Sequence, residues 1–326
     1  MKKGRATKAL PSRSAKLLRT IDFLTAGPLP IDAVCDIVCA YSAEFQGKRK
    51  LTIKNPGHIS ALAELPGGKL MLCTADGTVC EWDAVGGALL RTQPYKLNAI
   101  VLVGLPDGKV VAGAEDSTVR VWEDGVCSRF LSGHSMKVWA LAILPGGRLA
   151  SCSSDNTVRV WDLQSGRCLF ILAGHTKSVW TLALLLDGKL ASGSVDRTVR
   201  VWDIDSGAHV LTLAGHTRPV GALVVLPNGK LVSGAGNNVH VWDVPSGACL
   251  VVLRHANLVG HFVTSLAVLS DGTLASGSFS LVRVWDTENG ECLFTIHEDN
   301  AMNLRLMALS SGELAVSRGI TVNIYE

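Results

Sequence analysis

The chain has 326 residues, 48% of them hydrophobic, and a formal charge of +3. That length is ample for one large domain, no run of 18 apolar residues marks a membrane helix, and so even a charge balance argues against a dedicated nucleic-acid binder. Nine cysteines, an odd number, read as small apolar residues in a reducing compartment rather than as a disulfide frame.

Residues 1–20 carry Lys2, Lys3, Arg5, Lys8, Arg13, Lys16 and Arg19 and no acid, so the rest of the chain stands at −4. No apolar signal-peptide core follows, and the segment reads as a solvated basic tail. Leu29-Pro30 then opens an expected helix, with Pro30 in its first turn and Ile31, Val34, Ile37, Val38 and Tyr41 on one apolar face. Cys35 and Cys39 lie on that stretch, but no His or CxxC accompanies them, so no metal site is expected. LPIDAVCDIVCAY resembles the first helix of an F-box, with Leu29, Pro30, Asp32, Ile37 and Val38 at the motif positions. The resemblance implies docking to a ubiquitin-ligase adaptor through Leu29, Pro30 and Ile37. The other helices of an F-box have no room before Lys48, and the alternative is a short amphipathic helix packed on the following domain.

From residue 47 onward short apolar-alternating runs dominate. Residues 174–203 hold VWTLALLL, KLASGSV and TVRVWD, separated by Asp187-Gly188 and Asp196-Arg197, which reads as strands joined by tight turns. The opening Gly-His and closing Trp-Asp resemble a WD repeat. Closing pairs recur at Trp82-Asp83, Trp122-Glu123, Trp161-Asp162, Trp202-Asp203, Trp242-Asp243, Trp285-Asp286 and Tyr325-Glu326, with spacings of 40, 39, 41, 40, 43 and 40 residues. A period near ~40 to 45 residues implies a β-propeller. The expected architecture is all-β: residues 1–46 as tail and helix, residues 47–326 as a seven-bladed propeller. The last repeat lacks a fourth strand, so residues 48–54 are expected to pair with residues 321–325 and close the ring.

In the WD family a buried His–Ser–Asp chain ends on the closing tryptophan. The resemblance implies two complete sets, His134, Ser151, Asp155, Trp161 and His175, Ser192, Asp196, Trp202. The fifth repeat keeps His216, Ser233 and Trp242 but has Gly236 in place of the acid. In the sixth, His255 and His261 compete for one position.

No P-loop, HExxH or nucleophile–base pattern occurs, so neither catalysis nor a cofactor or metal is expected. The expected role is a non-enzymatic scaffold that binds a protein or peptide on the loop face, as a monomeric propeller within a complex. Six tryptophans close repeats; the other two, Trp139 and Trp180, stand at equivalent positions in KVWALA and SVWTLA. With Lys137, Lys177, Arg218 and Arg197 they form the candidate site, since aromatic anchors dominate interfaces. Arg197 matches one basic position of F-box propellers that hold phosphorylated degrons, which implies the alternative of a ligase substrate-recognition subunit. FLSGHSMKVWALAILPGG resembles ubiquitin-binding propellers of the phospholipase-activating protein family, a further alternative. No nucleic acid or membrane partner is expected, and the location is expected to be cytoplasmic, with the nucleus as the alternative.

Overall fold

The computed structural model describes residues 35–36 and 49–325, apart from 56, 75, 95–97, 124–125, 256–261, 270–271, 279–280, 298–304, 310–313 and 319–320. Six antiparallel sheets of four strands follow one another along the chain. Blade 1 is Ile59–Leu65, Lys69–Thr74, Thr78–Asp83 and Leu89–Pro94. Blade 2 is Ala99–Gly104, Val110–Ala114, Val119–Glu123 and Val126–Leu131. Blade 3 is Val138–Leu144, Arg148–Ser153, Thr157–Asp162 and Cys168–Ala173. Blade 4 is Val179–Leu184, Leu190–Ser194, Thr198–Trp202 and His209–Ala214. Blade 5 is Val220–Val225, Leu231–Ala235, Asn238–Asp243 and Ala248–Arg254. Blade 6 is Val263–Val268, Leu274–Ser278, Leu281–Trp285 and Cys292–His297.

The expectation of seven blades is corrected: the described residues form six four-stranded blades. The remaining sheet has five strands drawn from both parts of the chain. Arg305–Ala308, Leu314–Arg318 and Thr321–Tyr325 pair in sequence, and Arg49–Lys54 adds antiparallel to the last of them, Lys54 opposite Thr321 and Arg49 opposite Tyr325. Cys35–Asp36 pairs with Arg318 and Ser317. The reason for the difference is backbone supply. Arg305–Ala308 pairs with residues 314–317 and Cys35–Asp36 with residues 317–318 of the same strand, and a strand edge accepts extended backbone that reaches it.

That pairing also corrects the expected helix. Cys35 and Asp36 are extended, and no helix occurs among the described residues. Leu29, Pro30 and Ile37 lie outside the described residues.

The first strand of each blade packs beside the first strand of the next. Small residues make this approach feasible. A Cβ added at Gly113 would lie 2.7 Å from Val138, one at Gly193 2.7 Å from Val220, and one at Gly234 2.7 Å from Val263. Valine at the start of one inner strand therefore fills the place left by a glycine in the preceding blade. The apolar clusters accordingly lie between blades: one joins blade 3 to blade 4 through Cys152, Val179 and Trp202, and another joins blade 6, the five-stranded sheet and blade 1 through Val282, Val322 and Ile59. Arg305 Nη1 donates to the Ser60 carbonyl at 2.9 Å, which ties the last inner strand to the first.

Candidate partner-binding face

One end of blades 2, 3 and 4 is stitched by backbone hydrogen bonds between two loops. The turn joining the second and third strands donates to the residue entering the inner strand: Ser154 N to Lys137 O at 3.0 Å, Val195 N to Ser178 O at 3.0 Å, Glu115 N to Asn98 O at 3.2 Å. Lys137, Lys177, Arg197 and Arg218 all lie on these two loop types and hence at one end of the ring. Arg197 occupies the turn of blade 4 with φ of 72°, and its amide donates to Ser194 O at 3.1 Å. Arg218 lies across the matching turn of blade 5, where a Cβ at Gly236 would meet its Cγ at 2.8 Å.

Just inside this rim every blade carries the same irregularity. Pairing skips one residue of the inner strand: Ser60, Ile100, Trp139, Trp180, Gly221 and Thr264 each lack a cross-strand partner between two that have one. A bulge of this kind turns a side chain away from the ladder direction and recurs at the rims of closed sheets. Trp139 and Trp180 are therefore the bulge residues of adjacent blades. Both are half-buried rather than laid open. Trp139 packs against the cluster between blades 3 and 4, and its Nε1 donates to Ser154 Oγ at 2.6 Å. Lys137 Nζ stands 5.9 Å above its ring and also pairs with Glu115 of blade 2. Lys177, Arg197 and Arg218 are exposed. The bulge register, Ser154 and Glu115 were missed from sequence. The signal for Ser154 was its place in the turn after Ser151; Glu115 belongs to a different repeat and has no local signal.

Beneath the rim lies the polar chain that holds the loops. In blade 3, His134 Nδ1 is 2.7 Å from Asp155 Oδ2, His134 Nε2 is 2.8 Å from Ser151 Oγ, and Trp161 Nε1 donates to Ser151 Oγ at 2.8 Å. Blade 4 repeats this with His175, Asp196, Ser192 and Trp202, each distance 2.8 Å. Burial disfavours ionisation of Asp196, but hydrogen bonds from Thr198 and His175 outweigh it and hold the carboxyl down at about 2. Burial likewise pushes the His175 imidazole below its ordinary value despite the carboxylate beside it. The chain is then a neutral imidazole whose Nδ1–H donates to a carboxylate and whose Nε2 accepts from Ser192. The serine in turn accepts from the indole, and every buried polar atom along the line has a use.

The other blades keep parts of this line. In blade 5, His216 Nε2 is 2.6 Å from Ser233 Oγ and Trp242 donates to the same oxygen at 2.7 Å. No acid faces His216 across Gly236; instead the ring of His240 stacks on it at 3.9 Å. Burial, and secondarily His240, pushes His216 down to about 3, so both rings stay neutral. In blade 6, His255 takes the position, with Nε2 2.6 Å from Ser276 Oγ; His261 lies outside the described residues. In blade 1 the buried Nε1 of Trp82 has no hydrogen-bond partner among the described residues.

Stretches 47–83, 98–123, 125–162, 166–203 and 207–243 match the family model of the WD domain, G-beta repeat, and together make up more than half of the chain. The chain belongs to the WD-repeat family. No curated protein matches it. Among the described residues of this WD-repeat protein no group of three or more His, Cys, Asp or Glu side chains could hold a metal ion. The histidines of the polar chains are used up as structural links, each bonded to the serine that carries the closing indole.

Proposed function

We propose that this WD-repeat protein is a non-enzymatic interaction scaffold that binds a peptide segment of a partner protein at the bulge ring. The observation that carries the reading is the placement of Trp139 and Trp180 at bulges of adjacent blades, beneath a rim with exposed Lys177, Arg197 and Arg218. Half-buried indoles on rigid strands lose little entropy on binding and supply apolar contact area. The rim cations favour a segment with an acidic or phosphorylated residue next to its apolar anchor, and they act chiefly on association rate and specificity. Trp139 is held by Ser154 and by Lys137, so its ring is oriented before a partner arrives. The adaptor-docking reading rests on Leu29, Pro30 and Ile37 alone.

The test is affinity capture from cell extract followed by mass spectrometry, with the native protein and a Trp139→Ala, Trp180→Ala double variant. The proposal expects partners lost from the variant while its thermal midpoint stays within a few degrees. Retention of every partner by a folded double variant places binding elsewhere.

A further inference from the structure

The two tryptophans of the bulge ring are not equivalent, and the difference lies in what surrounds them. Trp139 is tied into the fold: it packs on the apolar cluster between blades 3 and 4, its Nε1 donates to Ser154 Oγ at 2.6 Å, and Lys137 Nζ stands over its ring. Among the described residues Trp180 has none of these contacts. The residue at the Ser154 position in blade 4 is Val195, whose side chain has no oxygen, and the residue at the Lys137 position is Ser178. The Trp180 Nε1 therefore has no hydrogen-bond partner among the described residues, and the residue is partly exposed. An amphipathic ring with an unused N–H is well suited to anchor a partner.

The next blade supplies the place beside it. The bulge residue is Trp139 in blade 3 and Trp180 in blade 4, but Gly221 in blade 5. The inner strands of blades 4 and 5 meet at this level, since a Cβ added at Gly193 would lie 2.7 Å from both Thr181 Cγ2 and Val220 Cγ1. Trp180 precedes Thr181 and Gly221 follows Val220, so the indole and the glycine are neighbours on the ring. Neither backbone nor crowding calls for glycine here. The φ of Gly221 is not in the left-handed region, and among the described residues a Cβ there would meet only Val263 O, at 3.7 Å. Gly193 and Gly234, by contrast, each have a valine Cγ1 2.7 Å from that place. Gly221 is itself partly exposed, so its backbone can be reached beside Trp180.

The loops above this pair are cationic. Lys177 and Arg218 hold the same position in the loops entering the inner strands of blades 4 and 5, where blade 3 has Met136, and Arg197 lies in the turn of blade 4. All three are exposed, and their side chains make no ion pair or hydrogen bond among the described residues. The acid on these loops, Asp196, is taken up by His175, Thr176 and Thr198. The stem of Arg218 lies on Gly236, where a Cβ would meet its Cγ at 2.8 Å, so the turn of blade 5 sets where this arginine starts.

We infer, resting on the reading of the bulge ring as a peptide site, that its anchor point is the single step from Trp180 to Gly221, which takes a bulky apolar side chain from a peptide with an anionic residue next to it. The apolar side chain lies on Gly221 against Trp180. A peptide carbonyl accepts from Trp180 Nε1, and the neighbouring carboxylate or phosphate pairs with Arg197 and Arg218. Trp139, already tied down, is a wall of the site and not its anchor.

The probe is a random dodecapeptide library displayed on phage and selected on the full-length protein, with enriched sequences synthesised and titrated by fluorescence anisotropy. The enriched peptides should share a Phe, Trp, Leu or Ile with an Asp or Glu close by in the sequence. Gly221→Trp should weaken them roughly tenfold or more by filling the anchor point. The backbone accepts this change, because blades 3 and 4 carry tryptophan at the same bulge, and Gly221→Ala, which adds only a methyl group, should bind nearly as the native protein does. Trp180→Phe keeps a ring and removes the N–H, and should weaken binding roughly fivefold, whereas Trp139→Phe should change it little. Added salt should weaken binding to the native protein and have much less effect on an Arg197→Ser, Arg218→Ser variant. Either anion supports the inference, and phosphoserine in place of the shared acid shows which is preferred. Peptides that bind Gly221→Trp undiminished, that depend on Trp139 as much as on Trp180, or that share no acid overturn the inference and leave the bulge ring as the site. Peptides that bind the Trp139→Ala, Trp180→Ala variant as well as the native protein, or a library from which nothing is enriched, overturn the bulge-ring reading and this inference with it.

Discussion

Asp196→Asn offers the most direct measure of what the polar chain contributes. Asp196 accepts four hydrogen bonds: Oδ2 from His175 Nδ1 at 2.8 Å and Thr176 N at 3.0 Å, Oδ1 from Thr198 N at 3.0 Å and Thr198 Oγ1 at 2.6 Å. An amide can accept on one side only, so its NH2 group must face two donors. Leaving buried donors unpaired costs about 1–3 kcal/mol each, less for the exposed Thr176 amide, so roughly 2–4 kcal/mol in all. An independent route gives a similar figure. The carboxyl side chain is 8% exposed, and its pKa falls from 3.8 to about 2. At about 1.4 kcal/mol for each unit, that depression amounts to roughly 2–3 kcal/mol of folding stability. Because the folded value is the lower one, the contribution is complete above about pH 4. It is lost as pH falls toward 2. Hydrogen exchange of blade 4 amides, with urea midpoints at pH 7 and near pH 2.5, measures both effects. The native protein should lose protection in blade 4 on acidification, whereas the Asn variant starts lower and loses less from this source. A change under ~0.5 kcal/mol at pH 7, or an equal deficit at both pH values, would refute the reasoning.

Trp202→Phe should cost about 1–3 kcal/mol more than Trp82→Phe, because Ser192 loses the indole N–H whereas the Trp82 Nε1 has no hydrogen-bond partner among the described residues; denaturant midpoints of the two variants decide. Gly193→Ala places a methyl group 2.7 Å from both Thr181 Cγ2 and Val220 Cγ1 and should lower stability by about 1–3 kcal/mol through overpacking between blades 4 and 5. Ile53→Ala, at a fully buried position of the ring-closing strand, should cost about 2–5 kcal/mol and raise exchange first in Thr321–Tyr325, its pairing partner. Uniform exchange throughout the propeller in that variant would show that closure is not the weak point.

The alternating runs, the Gly-bearing turns and the near-constant spacing of Trp-Asp pairs made the propeller and its ring closure legible, because each repeat is a local unit whose hydrogen bonds stay within neighbouring strands. The same held for His134–Ser151–Asp155–Trp161 and its counterpart in blade 4. Their partners recur at fixed offsets, and a buried indole or carboxylate has to be matched nearby. Other features depended on residues far apart in the chain. The strand pairing of Cys35–Asp36 depends on Leu314–Arg318, far away in the chain, and not on the apolar period around it. The choice of His255 over His261, the stack of His240 on His216 and the bond between Lys137 and Glu115 depend on which side chains a turn length brings together.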